Sequence, residues 1–239
     1  MFDVIFFGTL PFQCYWFFSY LAFVLEEHDH KAFNDRRNIP KPRDVFINCL
    51  LITLVFAAAG LLLPFVLETN LTLNLYNLSL MLFIIEVGNY VTHYMSHQSK
   101  ERYKQHKKHH SLYVPYSFGG LYGEGSPILG IIGVVFVAYI LNVNMVELTM
   151  ANAIGFIFTV WQHVGNYSHH YHHHATDITT NFESPCFEVL DILFGTHRRK
   201  KMKNYLEFVV KKSVMDGVKL ICILFMSRLF FDCYCTLRN

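Results

Sequence analysis

The chain has 239 residues, of which 53% are hydrophobic, 16% aromatic and 16% charged, with a formal net charge of +2. An ordinary soluble domain carries about a quarter charged residues, so this composition excludes that class and points to an integral membrane protein. The near-neutral balance, with no basic stripe set apart as a domain, gives no footprint for nucleic acid either.

In chain order, Met1 to Leu25 carries one charge, Asp3, and is close to the ~20 residues that cross a bilayer. It lacks a basic start and a small-residue cleavage site, so it reads as a retained span rather than a removed leader. Ile39-Pro40-Lys41-Pro42 breaks the chain, since proline cannot continue a helix and restricts its predecessor. An uncharged second run, Val45 to Leu67, follows. Leu71 to Thr92 is a third candidate, interrupted by Glu86. Pro115 to Pro127, with Gly119, Gly120, Gly123 and Gly125, returns the chain to the membrane. Ser126 to Val146 is again uncharged, and Leu148 to Val164 is short. Val214 to Asp232, with Lys219 and Arg228, either crosses or lies in the interface. The expectation is an all-α integral membrane protein with four to six membrane-associated helices. Residues 1–239 read as a single domain, because no long repeat and no Ser/Gly/Pro-rich linker divides them.

Seventeen of the twenty Lys and Arg residues fall in segments 26–43, 98–112 and 196–213, while the connections near 68–72 and 141–147 have none. The positive-inside rule then makes the basic segments cytosolic and puts the amino terminus across the membrane. The six cysteines, 14, 49, 186, 222, 233 and 235, form no C-x-x-C pair. They read as buried thiols, neither a disulfide framework nor a zinc finger. Asn70-Leu71-Thr72 is a glycosylation sequon on the expected far side.

Eleven of the fourteen histidines lie between His93 and His174. They form His93-x-x-x-His97, His106-x-x-His109-His110 and a run containing His169, His170, His172, His173 and His174. Residues three and four apart share a helical face, so each group can turn imidazoles toward one point. Glu86, Tyr90, His93 and His97 advance by four, three and four, which puts a carboxylate, a phenol and two imidazoles on one stripe. Taken alone, His93 and His97 fit equally well as headgroup-boundary residues. A basic membrane-facing helix explains Lys104, Lys107 and Lys108, but not His106, His109 and His110. The third group contains two overlapping H-x-x-H-H frames, starting at His169 and at His170. Together the groups exceed the four ligands of one tetrahedral zinc, and two metals are the natural count.

This pattern resembles the fatty acid hydroxylase superfamily, which includes sterol C4-methyl oxidases, sterol C5-desaturases, cholesterol 25-hydroxylases and sphingolipid hydroxylases. Likeness extends to Glu86-x-x-x-Tyr90-x-x-His93, Tyr103-Lys104, Tyr113, Pro115, Asn181-Phe182 and Asp191-Ile192-Leu193-Phe194-Gly195-Thr196. It covers roughly residues 30–200. The resemblance implies a cytosolic di-iron cap with His93, His97, His106, His109, His110, His163, His170, His173 and His174 as ligands. Glu86, Asp177 and Asp191 would be carboxylates that fix imidazole tautomers.

The same resemblance implies oxidation of a lipid C–H bond with O2 in the endoplasmic reticulum membrane. Electrons would come from a b-type cytochrome or a reductase in an external NAD(P)H-dependent chain, since this sequence has no G-x-G-x-x-G fingerprint. The second box is most similar to the C4-methyl oxidase and 25-hydroxylase branch, which ranks a sterol ahead of a fatty acyl lipid. Two departures stand out: the loop after the second box lacks the family's usual histidine, and His170 follows His163 by only seven positions. They keep open a non-catalytic relative that binds lipid or a partner protein. A histidine-rich metal transporter is the third reading, although Glu86 is the one clear polar residue deep in a span.

Overall fold

The computed structural model describes residues 2–123, 127–164, 173–174, 178–180, 182, 189–196 and 205–238, and among these every regular element is helical. The helices are α1 (Phe2–Leu25), α2 (Glu27–Phe33), α3 (Pro42–Leu62), α4 (Leu75–Gln98) and α5 (Lys100–His106). They continue as α6 (Pro127–Ile140), α7 (Met145–Gln162), α8 (Val189–Leu193) and α9 (Tyr205–Arg238). Among the described residues, four stretches are long and apolar enough to cross a membrane: Phe2–Leu25, Pro42–Phe65, Leu75–Gln98 and Val210–Arg238.

Two boundaries differ from the sequence reading, for local reasons. The uncharged run 126–146 is not one helix: α6 has 14 residues, and the chain turns before α7. Asn142 adopts a left-handed φ of 53°, a conformation that asparagine tolerates better than most side chains. Asn144 then caps α7 in a reciprocal box, accepting from Glu147 N while Glu147 accepts from Asn144 N. The run therefore spans α6, a turn and the start of α7, with α6 packed on α3 and α4 and α7 on α1 and α4. Similarly, α4 starts at Leu75 rather than Leu71, because Asn74 is its N-cap and accepts from Tyr76 N at 2.9 Å. It then runs on through His93 to Gln98.

The two connections without Lys or Arg meet at one end of the bundle. Met145 N donates to Glu68 O at 2.9 Å, Asn144 Nδ2 to Thr72 O at 3.0 Å, and Asn74 N to Glu147 Oε1 at 2.8 Å. At the opposite end, the segment after α2 ties to the second histidine group. Ile39 N donates to Ser111 O at 3.1 Å, and Asn38 exchanges hydrogen bonds with both Val114 N and Val114 O.

Between these ends α1 packs on α3 and α7, and α4 on α7. Helices α1 and α3 cross in backbone contact: a Cβ built on Gly60 would lie 1.9 Å from Gly8 O. Only glycine permits that approach, the usual device for close helix contact in lipid. One apolar cluster, including Phe7, Leu78, Met81 and Leu148, fills the end away from the histidines. Another, including Tyr15, Leu112, Val114 and Phe156, supports the histidine loop. Helix α9 closes on α1 through Phe6 and Phe7 against Phe230, Phe231 and Tyr234.

Candidate metal centre

Among the described residues, eight histidines from five places in the chain converge in two adjacent sets. His93 and His97 project from the last turns of α4, His106 ends α5, and His109 and His110 sit in the 3-10 turn His109–Ser111. His163 is the C-cap of α7, and His173 and His174 return from the third group. One nitrogen each from His93, His97, His106, His110 and His173 lies within 4.8 Å of the others, and the same holds for His109, His163 and His174. The vicinal pairs are divided between the sets. Neighbours on a helical turn point about 100° apart, so His109-His110 and His173-His174 each face both sets at once.

The ring orientations are fixed by the main chain. Nδ1 of His109 donates to Tyr122 O at 2.9 Å, that of His163 to Thr159 O at 2.7 Å, and that of His174 to Leu112 O at 3.1 Å. In the other set, His173 Nδ1 donates to Thr180 O at 2.7 Å. A neutral imidazole with its proton on Nδ1 has a bare lone pair on Nε2. Three such lone pairs therefore converge at His109, His163 and His174, and the Nε2 atoms of His109 and His174 are 2.9 Å apart. In the five-membered set, Nε2 of His97 and His110 are 3.2 Å apart, and the buried Nε2 of His106 has no hydrogen-bond partner.

Bare lone pairs facing each other at this range repel unless a cation lies between them. Two imidazoles at about 2.1 Å from a common metal would be separated by roughly 3 Å. The donor set therefore fits a metal in each position, and imidazole suits iron, zinc and copper alike.

Burial keeps these rings in the ligand form. It pushes His109 down to about 4, opposed by the hydrogen bond to Tyr122 O. His163 falls to about 3 and His106 to about 2, in each case from burial first and then from the neighbouring imidazoles. His110 is lowered further for the same reasons.

The loop carrying His109 and His110 is held from beneath. Asp29, fully buried in α2, accepts from Ser117 N at 2.7 Å and also contacts Ser117 Oγ. Ser117 Oγ reaches Ser19 O at 3.0 Å, Tyr15 OH donates to Phe118 O at 3.0 Å, and Gly123 N donates to Asn48 Oδ1 at 3.0 Å. Gly123 has a φ of 71°, and a Cβ there would lie 2.6 Å from His109 N. This glycine lets the chain pass directly behind the histidine.

Beside the five-membered set, the buried Phe182 ring packs on His93, His97 and His173. Asp191 Oδ1 accepts from Phe182 N at 3.0 Å and from Thr196 Oγ1 at 2.5 Å, and Tyr90 OH lies 2.9 Å from Thr196 Oγ1. Gly195, with a φ of 70°, makes the turn that brings Thr196 back to Asp191.

The structure thus gathers His93, His97, His106, His109, His110, His163, His173 and His174. His170 and Asp177 lie outside the described residues. His163, whose closeness in sequence to the last group is unusual, stands beside His109 and His174. The tautomer-setting acceptors expected from Glu86, Asp177 and Asp191 are, for four rings, main-chain carbonyls. Glu86 is buried two turns before His93, about 10 Å along α4, and Asp191 anchors the Phe182 wall. Sequence reasoning missed the Asp29, Asn38 and Asn48 supports, which lie far from the histidines along the chain.

The sequence profile of the fatty acid hydroxylase family matches residues 78–196, the segment holding all eight of these histidines. Among curated proteins, the sphingolipid C4-hydroxylase of Saccharomyces cerevisiae is 28% identical over 167 residues, covering 57% of this chain and 47% of the relative. The chain thus spans about half the length of that relative. No solved structure gives a significant match. The match runs through one continuous segment that contains every histidine of both sets, and the chain belongs to the fatty acid hydroxylase superfamily.

Proposed function

We propose that the chain is a membrane lipid hydroxylase that inserts one oxygen atom of O2 into an unactivated C–H bond. The observation that carries this reading is the convergence of neutral, main-chain-oriented imidazole lone pairs in two adjacent buried sets. His93, His97, His106, His110 and His173 would hold one iron, and His109, His163 and His174 the other, with His170 as a further ligand. When bound, the irons would supply reduction of O2 by two external electrons with two protons, and removal of the substrate hydrogen, giving an alcohol and water.

Everything else is work for this chain's own residues. The carbonyls of Tyr122, Thr159, Leu112 and Thr180 keep each Nδ1 protonated, so that Nε2 stays available. Phe182 and the packed loop 112–122 limit water at the site, which suits a reaction that must not leak its oxidant. Apolar helices on the approach let a lipid arrive laterally from the bilayer.

The substrate we favour is a sphingoid or fatty acyl chain, because the curated relative is named for hydroxylating a sphingolipid; a sterol is the other arm of the test. A histidine end on the cytosolic face of the endoplasmic reticulum would meet a b-type cytochrome or a nicotinamide-dependent reductase. Lipid profiling of cells with and without the chain, paired with iron analysis of the purified protein, tests the proposal. The expected result is a lipid heavier by one oxygen atom, lost with His109→Ala, and about two irons per chain. Unchanged lipid profiles from protein loaded with iron and supplied with donor would overturn it.

A further inference from the structure

At the end of the bundle where the histidines gather, α1, α2 and α3 leave a groove of about 380 Å3 between them. Tyr20 and Phe23 of α1, Phe33 of α2, Phe46 of α3 and Phe118 give it aromatic walls, and Arg43 stands among them. The walls support one another: Phe23 packs on Phe33 at 5.3 Å and on Phe118 at 5.6 Å, and Phe46 on Phe118 at 6.5 Å. Phe118 also belongs to the packed loop behind the histidines. Its carbonyl accepts from Tyr15 OH, and two residues on, a Cβ at Gly120 would lie 3.2 Å from Thr159 Cγ2 and 3.4 Å from His163 Nδ1. One side of this loop therefore borders the groove, and the other borders a histidine of the metal centre.

Two stretches able to cross a membrane have their ends here. Tyr20 and Phe23 lie five and two residues before the end of α1 at Leu25, and Arg43 is the second residue of α3. The groove is thus at interfacial depth, where the tail of a lipid meets its headgroup. Its chemistry divides the same way. The walls are aromatic, and the polar groups are the Arg43 guanidinium and the Tyr20 hydroxyl, both on exposed side chains and neither in an ion pair or hydrogen bond among the described residues. Among those residues no acidic side chain lines the groove. A guanidinium so placed calls for an anion with several acceptor oxygens, and phosphate matches its fork of N–H donors. The space also selects a thin occupant. One turn of a protein helix, about 10–12 Å across and 5.4 Å long, already takes up roughly 400–600 Å3, so the groove seats an acyl chain and not the several turns of a docked helix.

We propose that this groove binds an anionic phospholipid of the surrounding bilayer, with one acyl chain against Phe23, Phe46 and Phe118 and the phosphodiester on Arg43 and Tyr20 OH, and that the bound lipid braces loop 117–120 against His163. A zwitterionic headgroup such as phosphocholine brings its own cation, which competes with Arg43 for the phosphate. An anionic headgroup without a cation leaves the phosphate to the protein, so net charge selects between them. The groove shares no lining residue with the metal centre, and its occupant is held unchanged rather than oxidised, so the proposal stands or falls independently of the proposed activity.

The full chain in detergent, titrated with dioleoyl phosphatidylglycerol or dioleoyl phosphatidylcholine and read by native mass spectrometry, provides the test. The wild type should hold one phosphatidylglycerol per chain in clear preference to phosphatidylcholine. Arg43→Gln should weaken that binding roughly fivefold, the effect of one cation at a lipid surface, and Arg43→Lys should restore most of it. Arg36→Gln, which removes an exposed arginine of the same basic segment outside the groove, should change it little. Phosphatidylglycerol should also slow hydrogen exchange at the Gly119 and Gly120 amides in the wild type and not in Arg43→Gln. A further readout leaves every charge intact. In a background with Trp16 and Trp161 replaced by phenylalanine, the fluorescence of Tyr20→Trp should be quenched more by brominated phosphatidylglycerol than by brominated phosphatidylcholine, while Tyr76→Trp, at the exposed start of α4, should respond to both alike. Equal retention of the two lipids by the wild type, equal losses in Arg36→Gln and Arg43→Gln, equal quenching of Tyr20→Trp by the two lipids, or exchange at Gly119 and Gly120 indifferent to lipid would overturn the proposal. So would a second protein chain in place of the lipid, released by Arg43→Gln.

Discussion

At the scale of the residue, the centre depends on which nitrogen of each imidazole faces inward. The histidines can be counted from the sequence, and their i, i+3 and i+4 spacing gives the faces they share. What points each Nε2 inward, however, is a carbonyl of Tyr122, Thr159, Leu112 or Thr180. Every residue carries such a group, so no side-chain pattern could reveal which one is used. The division of His109 and His110 between two sets makes a testable distinction. His109→Ala and His110→Ala should each lower iron content from about two per chain toward one, and the double variant toward none, read by elemental analysis of protein purified under reducing conditions. If the singles and the double retained equal amounts of metal, the two neighbours would not serve different ions. Asp191→Ala should act less directly: it frees Phe182 N and Thr196 Oγ1 and should cost about 1 to 3 kcal/mol in denaturant unfolding. Thr196→Val should cost less, because the bond from Phe182 N to Asp191 survives it.

Among elements, the long uncharged helices were readable from composition because lipid leaves little choice of conformation. The break between α6 and α7 was not, since Leu141 to Asn144 adds polar but uncharged residues to an apolar run. The attachment of α2 beneath the histidine loop was equally hidden, resting on contacts between residues 88 positions apart. Its central acid has an unusual pH dependence. Burial raises Asp29 from 3.8 to about 6, against the opposing hydrogen bonds from Ser117. Between those values the folded chain binds more protons than the unfolded one, so this group's contribution to stability falls as pH rises. Once protonated, Asp29 can donate to Ser117 Oγ and leave the serine proton for Ser19 O. An asparagine amide can do the same. Asp29→Asn should therefore be tolerated, and should raise stability at pH 7.5 by roughly 1 to 3 kcal/mol while flattening its dependence between about pH 4 and 6. Asp29→Ala should instead destabilise at every pH. Thermal unfolding followed across that range distinguishes the two, and a loss of stability in Asp29→Asn at pH 7.5 would contradict the assignment.

The whole molecule has two chemically distinct ends, and the charge distribution in the sequence anticipated them. Segments 26–43 and 98–112 are joined by Ile39 with Ser111, and Asn38 binds Val114 just beyond, at the end where the histidines gather. The loops lacking Lys and Arg are joined by Met145 with Glu68 and by Asn144 with Thr72 at the other. The sequence did not disclose where α9 finishes. Asp3 at the start of α1 accepts from Tyr234 OH at 2.6 Å and pairs with Arg238 at 2.9 Å, so the two ends of the described chain lie side by side, away from the metal centre. If the basic end is cytosolic, short tags inserted at Asn38 and Ser111 should be reached by a protease added to sealed microsomes. Tags beside Asp3 and Arg238 should be protected until the membrane is opened with detergent, since an even number of crossings must separate ends that lie together. A sequon placed beyond Arg238 should accept glycan for the same reason. Protection of the Ser111 tag would put the histidines in the lumen, away from cytosolic electron donors. Exposure of Arg238 with protection of Asp3 would instead mean that α9 does not cross beside α1, and the contact between Asp3 and Arg238 would then be absent from the membrane-bound protein.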